Sequence, residues 1–462
     1  MYEDLIEPLY GSKRDDVVDS ILHQSDEQHH MYNVNDRIDM TAYPVYSIDP
    51  YGCEDADDAF SIYKEDDKLN LAIHIADPTE YIKINSILWR DIEKRIVTKY
   101  PSNKKPIHMI LEDIMERSSL MVNKYGDIKL AITIVTEIDM NSFLPVGNVK
   151  LVFTKIKVSE NNAFSYEEAG ELLETNDAIR NGIKISKALT EARSEKTKGV
   201  LLNDVTMSYV KYDGDITYLY RDTPNEKLMK QMIAEFAIFA NSFVGEFLKI
   251  NFEGVGIFRI CSASDWLNTI YSEISGEELL NEIIVNGIRA DYISSVKPHD
   301  LVGSPEYCHF TSPIRRLSDC VCHYLLKYIH LKSNIPYLPI PFTNTQLEIY
   351  SNNCMKMTRS VKNIQYKDTK YRLLQTMKYM LLTKPILTIK YYVSSYINSF
   401  LNIIICNVNE HNIYLSYTLR LTTLSTEYKI KEKITIDITI VNITGNKFDE
   451  GSIPELDCFY TS

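Results

Sequence analysis

From AFSIY (59–63) through KLNLAIHIA (68–76) the chain alternates, or runs continuously, in β-branched and aromatic residues between turns, and the same texture returns in DIKLAITIVTEID at 127–139. Apolar patterning of this kind is the mark of paired strands. Helices follow. EKLMKQMIAEFAIFANSFVGEFLK (226–249) carries Leu228, Met229, Met232, Ile233, Phe236 and Ala240 at helical spacing, a stripe that belongs in a core. TSPIRRLSDCVCHYLLKYIHLK (311–332) reads as a further helix, with Ser312 as N-cap, Pro313 at its first position and Ile314, Leu317, Val321, Tyr324 and Leu325 along one face. Such an N-terminus has amides that attract anions, and Arg315 in its first turn adds a guanidinium suited to phosphate.

Beyond residue 383 the pattern changes to the short runs ILTIKYYV, FLNIIICNV, NIYLSYT and KITIDITIVNIT. They fit a small β-barrel of about 80 residues, for which an OB-type fold is one candidate. The fold class expected is therefore α+β: an irregular N-terminal segment over 1–40, a main domain of mixed sheets and helices over 41–383, and an OB-like barrel over 384–462. The polar stretch HQSDEQHHMYN (23–33) reads as a loop. Its His23, His29 and His30 have no cysteine or carboxylate partner at metal-ligand spacing.

A length of 462 residues favours two or three domains, and 45% hydrophobic with 24% charged residues is ordinary for a soluble globular protein. No apolar stretch approaches the roughly 18 residues of a membrane span, and the acidic start lacks a signal pattern, so a soluble cytoplasmic protein with no membrane partner is expected. The eight cysteines are scattered without a CxxC pair and read as reduced packing residues. A net charge of -13 argues against nucleic acid at first sight. Yet basic residues gather in RDIEKRIVTKYPSNKKP (90–106), at Arg315 and Arg316, and in KMTRSVKNIQYKDTKYR (356–372), enough to line a channel inside an acidic protein. Each cluster alone also fits a solvated helix face.

Against this ordinary background SIDPYGCEDADDAFSIY (47–63) stands out, because Asp49, Glu54, Asp55, Asp57 and Asp58 crowd into ten positions. Like charges so close repel, and some must take up protons unless a cation sits among them. An oxygen-rich cluster with little His or Cys suits a hard cation. The EF-hand pattern fails here, since its Gly and terminal Glu do not fall where required. Magnesium is favoured, because it takes only one or two carboxylates plus substrate phosphate per ion; four aspartates have the capacity for two ions clamping a phosphodiester. The other reading of the residues is an acidic surface loop.

SIDPYGCEDADDAF closely resembles the signature of the ribonuclease II/R family, the RNB exoribonucleases, in the form shared with the catalytic subunit of the exosome. Four family aspartates match Asp49, Asp55, Asp57 and Asp58. In the family's order, LAIHIADPTEYI (71–82) resembles its HIAD strand, TKYPSNKKPIHMI (98–110) its tyrosine-containing loop, AEFAIFAN (234–241) its central helix, and HFTSPIRRLSDCVCHYLL (309–326) its T-S-P-I-R motif. The resemblance implies an RNB-type catalytic domain around an RNA channel, an S1-type C-terminal barrel, and 3′-to-5′ hydrolysis of single-stranded RNA to nucleoside 5′-monophosphates. It implies that the four aspartates bind Mg²⁺, with Mn²⁺ as a substitute, and that Asp57 and Arg315 are catalytic. It further implies that Tyr100 stacks on a base and that Thr311, Ser312, Arg315 and Arg316 contact RNA. Family members usually carry two OB domains ahead of the catalytic domain, whereas about 46 residues precede the motif here, so a protein partner in their place is expected. Leu301 stands where the family has a glycine, and the family's later helical glutamate has no clear counterpart near TRSVKNIQ. The rival expectation is a catalytically weakened RNB-fold subunit that binds RNA or serves assembly.

Overall fold

The computed structural model describes residues 6–14, 30–197, 206–213, 216–263, 276–383, 387–397, 400–420, 433–444 and 455–460, with a few single positions between them. The alternating runs of the first half form one sheet of five strands. Its members are β1 (Ile38–Asp39), β3 (Asp58–Glu65), β4 (Lys68–Ala76), β5 (Ile128–Ile138) and β6 (Pro145–Lys157), in the order β1-β6-β5-β4-β3. From β3 to β6 neighbours are antiparallel, and β1 lies parallel to β6. Two further short strands, β2 (Ser47–Asp49) and β7 (Ala163–Ser165), pair in parallel beside the sheet, Asp49 opposite Ser165.

Short helices α1 (Ile87–Arg95) and α2 (Glu112–Ser118) lie between β4 and β5, and α3 (Tyr166–Glu171) and α4 (Asp177–Thr197) follow β7. A hairpin, β8 (Ser208–Asp213) with β9 (Ile216–Arg221), leads into α5 (Pro224–Asn251). Thr223 caps α5 in a reciprocal box with Glu226, and Pro224 opens its first turn, so the helix begins where its missing amide bonds are supplied locally. The expected stripe is inside: Met229, Met232, Phe236 and Ala240 are buried, and Leu228 and Ile233 pack against the same core. Phe236 meets Phe60 of β3 edge-on at 5.5 Å, which seats α5 on the sheet.

After α5 come β10 (Val255–Ile260), α6 (Gly276–Val285), β11 (Asp291–Ser295) antiparallel to β10, α7 (Leu317–Leu331) and the long α8 (Asn344–Thr383). The C-terminal runs form an antiparallel sheet of β12 (Leu387–Ile397), β13 (Phe400–Val408), β14 (His411–Arg420), β15 (Lys433–Thr444) and β16 (Glu455–Tyr460), in the order β14-β13-β12-β15-β16. The four expected runs are β12 to β15 and β16 is a fifth strand, but β14 and β16 remain edges among the described residues, so the expected closed barrel is not seen there. Leu373, Leu374 and Met377 of α8 share a second core with Leu387, Ile389, Tyr391 and Val393, and Val210 and Leu219 of the β8–β9 hairpin pack on it. The C-terminal sheet is thereby continuous in its packing with the end of α8.

At the other end, Tyr10 donates its hydroxyl to Asp368 at 2.8 Å and packs with Ile6, Ile107 and Tyr371, tying the N-terminal segment to α8. His30 lies with its Nε2 2.9 Å from the Thr79 carbonyl; His23 and His29 fall outside the described residues.

Candidate active site

Asp49 ends β2, and Gly52 then turns the chain at φ 76°, a left-handed conformation that glycine adopts without strain. The loop is stitched down on both sides before β3 begins at Asp58. The Ser119 hydroxyl donates to the Glu54 carbonyl (3.1 Å), the Leu120 amide to the Ala56 carbonyl (3.0 Å) and the Ala76 amide to the Asp57 carbonyl (2.8 Å). Backbone bonds of this kind fix the direction of each aspartate in the loop.

Asp57 is the most enclosed of the four, 4% exposed. Its Oδ1 accepts the Ile314 amide at 2.8 Å and its Oδ2 accepts Nε of Arg315 at 2.8 Å. Arg315 also donates through Nη2 to the Ser312 hydroxyl at 2.9 Å, and its side chain remains 43% exposed. Tyr100 donates its hydroxyl to Asp55 Oδ2 at 2.8 Å. The motifs around residues 55, 100 and 315 therefore meet in one place. A short backbone ladder holds them in register: the Thr98 amide donates to the Arg315 carbonyl (3.0 Å) and the Leu317 amide to the Ile96 carbonyl (2.8 Å).

The helix expected from Ser312 begins instead at Leu317, with Arg316 as N-cap. The reason is tertiary. The Ser312 amide is bound by Asp319 Oδ1 (2.8 Å) and the Ile314 amide by Asp57, so two carboxylates hold residues 312–316 as a turn and consume the amides that a helix N-terminus would have presented to a ligand. Arg316 forms two bonds to Asp319, at 2.8 and 2.9 Å, while Thr311 and Ser312 are buried. Of the four residues in this turn expected at RNA, Arg315 has the side chain most open to a ligand.

Burial raises the carboxylates. Asp49 is lifted to about 6 by desolvation with help from the charges of Asp57 and Asp55, and Asp58 to about 7 by desolvation and then Asp49. Asp57 rises to about 7 through burial, against the pull of Arg315 and the Ile314 amide. The Tyr100 hydroxyl is pushed up by burial and by the charge of Asp55.

These residues fit a hard cation. Every donor is a carboxylate oxygen, three of the four aspartates bear a burial cost that a positive ion would relieve, and Asp49 Oδ2 is buried with no hydrogen-bond partner. Among the described residues no three His, Cys or acidic side chains form a ready-made cage; Asp49, Asp55, Asp57 and Asp58 are the residues that would hold such an ion, each ion taking one or two carboxylates with water or phosphate completing its shell.

Three further groups support the site, none of them singled out as a site residue by the sequence, although Asn241, Asp77 and Glu80 lie inside the stretches 234–241 and 71–82 that resemble family motifs. Asn241 of α5 accepts the Phe310 amide at 2.8 Å and donates to Tyr307 and Thr311, pinning the chain just before the Arg315 turn. Tyr166, first residue of α3, lies close enough to Asp49 and Asp58 for their charges to add to its burial in raising its hydroxyl. The box formed by Ser165 and Glu168 marks where α3 starts, the one clue by which sequence locates this tyrosine. Finally, Asp77 and Glu80, after β4, share Arg37 (2.6 and 2.8 Å) and the fully buried Lys327 of α7 (3.0 and 2.7 Å). That network clamps α7, and with it the Arg315 turn, against the sheet.

Known proteins resemble this chain in sequence and in fold. Mitochondrial exoribonuclease II of Saccharomyces cerevisiae is 24% identical over 358 residues, covering 68% of this chain and 36% of that protein. Across the first curated relatives the chain spans between 34% and 54% of their length. Mycoplasma genitalium RNase R, in complex with ribose methylated single-stranded RNA, has a TM-score of 0.73 at 18% identity, over 94% of this chain and 74% of that one. Yeast Ssd1, a pseudonuclease, has a TM-score of 0.63 at 19% identity, over 82% of this chain and 50% of that one. At such identities these structures speak for the fold alone. The RNB domain model matches residues 37–332, more than half of the sequence and all of the carboxylate and Arg315 site, and the chain belongs to the RNB family.

Proposed function

We propose that the protein is a metal-dependent 3′-to-5′ exoribonuclease that hydrolyses single-stranded RNA to nucleoside 5′-monophosphates. The observation that carries the proposal is the contact of Arg315 with Asp57, which joins the two strongest motifs of the sequence in one place. Relatives named as exoribonucleases support the same reading. Asp49, Asp55, Asp57 and Asp58 would hold Mg²⁺, with Mn²⁺ as a substitute, and the ion would polarise the phosphoryl group and acidify the attacking water.

The protein's own side chains supply the rest. Arg315 presents a permanent guanidinium to an anion entering beside Asp57, where it stabilises charge that grows on the phosphoryl oxygens. Ser312 and Asp57 together hold that guanidinium in place before substrate arrives. Tyr100 offers a ring on which any base stacks, consistent with cleavage that ignores sequence, and its bond to Asp55 sets the ring's position relative to the carboxylates.

The same reading divides the chain into an N-terminal segment (1–40), a catalytic domain (41–383) and an S1-type C-terminal unit (384–462) that binds RNA, with a protein partner assisting RNA capture. All seven described cysteines are free thiols, which supports a reducing compartment, and we place the protein in the cytoplasm. Among the described residues no helix is long and apolar enough to cross a membrane. The second reading, a catalytically weakened RNA-binding subunit, is favoured by the likeness to Ssd1. Against it stand the presence of Arg315 and of all four aspartates, whose carboxylates are costly to crowd together without a metal ion.

The test is incubation with single-stranded RNA labelled at either end, with Mg²⁺ or with chelator. The proposal expects labelled 5′-mononucleotide from 3′-labelled RNA at the earliest times, stepwise shortening of 5′-labelled RNA, and silence in chelator. Internal fragments as first products, or full activity in chelator, would overturn it.

A further inference from the structure

Behind the loop that carries Tyr100 lies a cavity of about 260 Å³ that the site above does not use. Four cations from three separate segments line it: Lys13 and Arg14 from the N-terminal segment, Arg95 from the end of α1, and Lys105 from the Tyr100 loop. Arg14 and Arg95 are held by Asp91, and Arg14 is further fixed by the carbonyls of His108, Met109 and Ile110. Lys13 and Lys105 have no ion-pair partner among the described residues. Against these stand Glu54 and Glu112, so the lining has four cationic side chains to two acidic ones.

His108 completes the wall, with its Nδ1 buried and lacking a hydrogen-bond partner among the described residues, an unmet bond of the kind that a bound group accounts for. The cavity also abuts the catalytic loop. Glu54 lines it while the next residue, Asp55, binds Tyr100, and the charge of Asp55 reaches His108.

We propose that this cavity binds a phosphomonoester dianion, the chemical class to which a released nucleoside 5′-monophosphate and inorganic phosphate both belong. Lys13 and Lys105, which form no ion pair among the described residues although Glu54 and Glu112 share the lining, lie beside an arginine pair held by Asp91, and a doubly ionised phosphate would draw on both lysines more strongly than a singly charged backbone diester. The volume is below the roughly 300 Å³ at which drug-sized pockets begin, so the phosphate and part of its sugar fit and the base remains outside. The assignment of a mononucleotide as occupant rests on the exoribonuclease reading, because that reaction generates one beside Asp55; the anion site itself does not.

The test measures binding of 5′-AMP, inorganic phosphate and adenosine to the full chain by calorimetry in chelator, so that no metal ion contributes. The wild type is expected to bind 5′-AMP and phosphate but not adenosine, and Lys13→Ala with Lys105→Ala to lose at least tenfold in affinity while the melting temperature is unchanged. A preference for 5′-AMP over phosphate identifies the product as occupant, and equal affinity identifies the phosphate group alone. Equal binding by wild type and double variant, or no binding of either phosphate compound by the wild type, overturns the site. RNA turnover is read separately: phosphate binding without turnover removes the exoribonuclease reading and leaves the site, and turnover without phosphate binding does the reverse.

Discussion

Arg315 places Nε 2.8 Å from Asp57 Oδ2 across 258 residues of chain, and the amide of the preceding residue, Ile314, holds the other oxygen of the same carboxylate. One aspartate thus fixes both the backbone and the side chain of the turn that faces the acidic loop. Replacing the guanidinium by an ammonium keeps the charge and loses the fork. Arg315→Lys is expected to lower kcat on the order of tenfold, equivalent to about 1.4 kcal/mol, with a smaller change in KM. Steady-state kinetics on a short RNA decide this, and a change confined to KM would make Arg315 a simple binding residue.

The raised carboxylates give a pH dependence with a definite sign. Asp49 and Asp58, lifted in the folded state to about 6 and about 7 from near 4 when unfolded, bind more protons folded than unfolded, so their contribution is present below pH 4 and is lost as pH rises through 7. In chelator, melting temperature should therefore fall between pH 5.5 and 8, and Asp49→Asn with Asp58→Asn should flatten that fall. Mg²⁺ competes with those protons. The stabilisation it confers should be larger at pH 8 than at pH 5.5, and equal increments would remove the aspartates from the metal site.

Lys327, wholly buried against Asp77 and Glu80, tests the clamp on α7. Lys327→Met leaves two buried carboxylates sharing Arg37, and the cost should be about 3 kcal/mol or more in urea unfolding, since breaking a buried network strands its remaining charges. A loss below about 1 kcal/mol would mean that the network contributes nothing to holding the helix.

Asn241 is expected to act through position. Asn241→Ala strands the buried Phe310 amide, which should cost about 1–3 kcal/mol in stability. Because the same bonds pin the chain before Arg315, kcat should fall while Asn241→Asp, which retains the acceptor for Phe310, recovers part of it. Unfolding midpoints and kcat measured on both variants separate this from a purely structural role, in which kcat per folded molecule stays constant.

What sequence reveals of this site divides along physical lines. The crowding of the aspartates is legible in sequence, while their selection as a set of four and the role of Arg315 rest on the resemblance to the family signature, and α5 is legible because its buried stripe and its local cap agree. The start of α7 is not: local rules favour Ser312 and Pro313, and they are overridden by Asp319 within the helix and by Asp57 from 257 residues away. Arg316 looks equivalent to Arg315 in sequence, yet Asp319 three residues on engages it. Tyr166 was hidden among 32 tyrosines, since only the pairing of β2 with β7 brings it to Asp49. The C-terminal runs announce strands, but closure of a barrel depends on which edges meet, and alternation carries no information about that.

The most direct test of the central claim compares wild type with Asp57→Asn on 3′-labelled single-stranded RNA in Mg²⁺, with RNA affinity measured alongside. The substitution keeps the shape of the side chain and removes its charge. The expected result is release of labelled 5′-mononucleotide by the wild type, a loss of at least about 100-fold in the variant, and RNA affinity within a few fold of wild type, as for an interaction made in the transition state. Cleavage by Asp57→Asn at the wild-type rate would contradict the account.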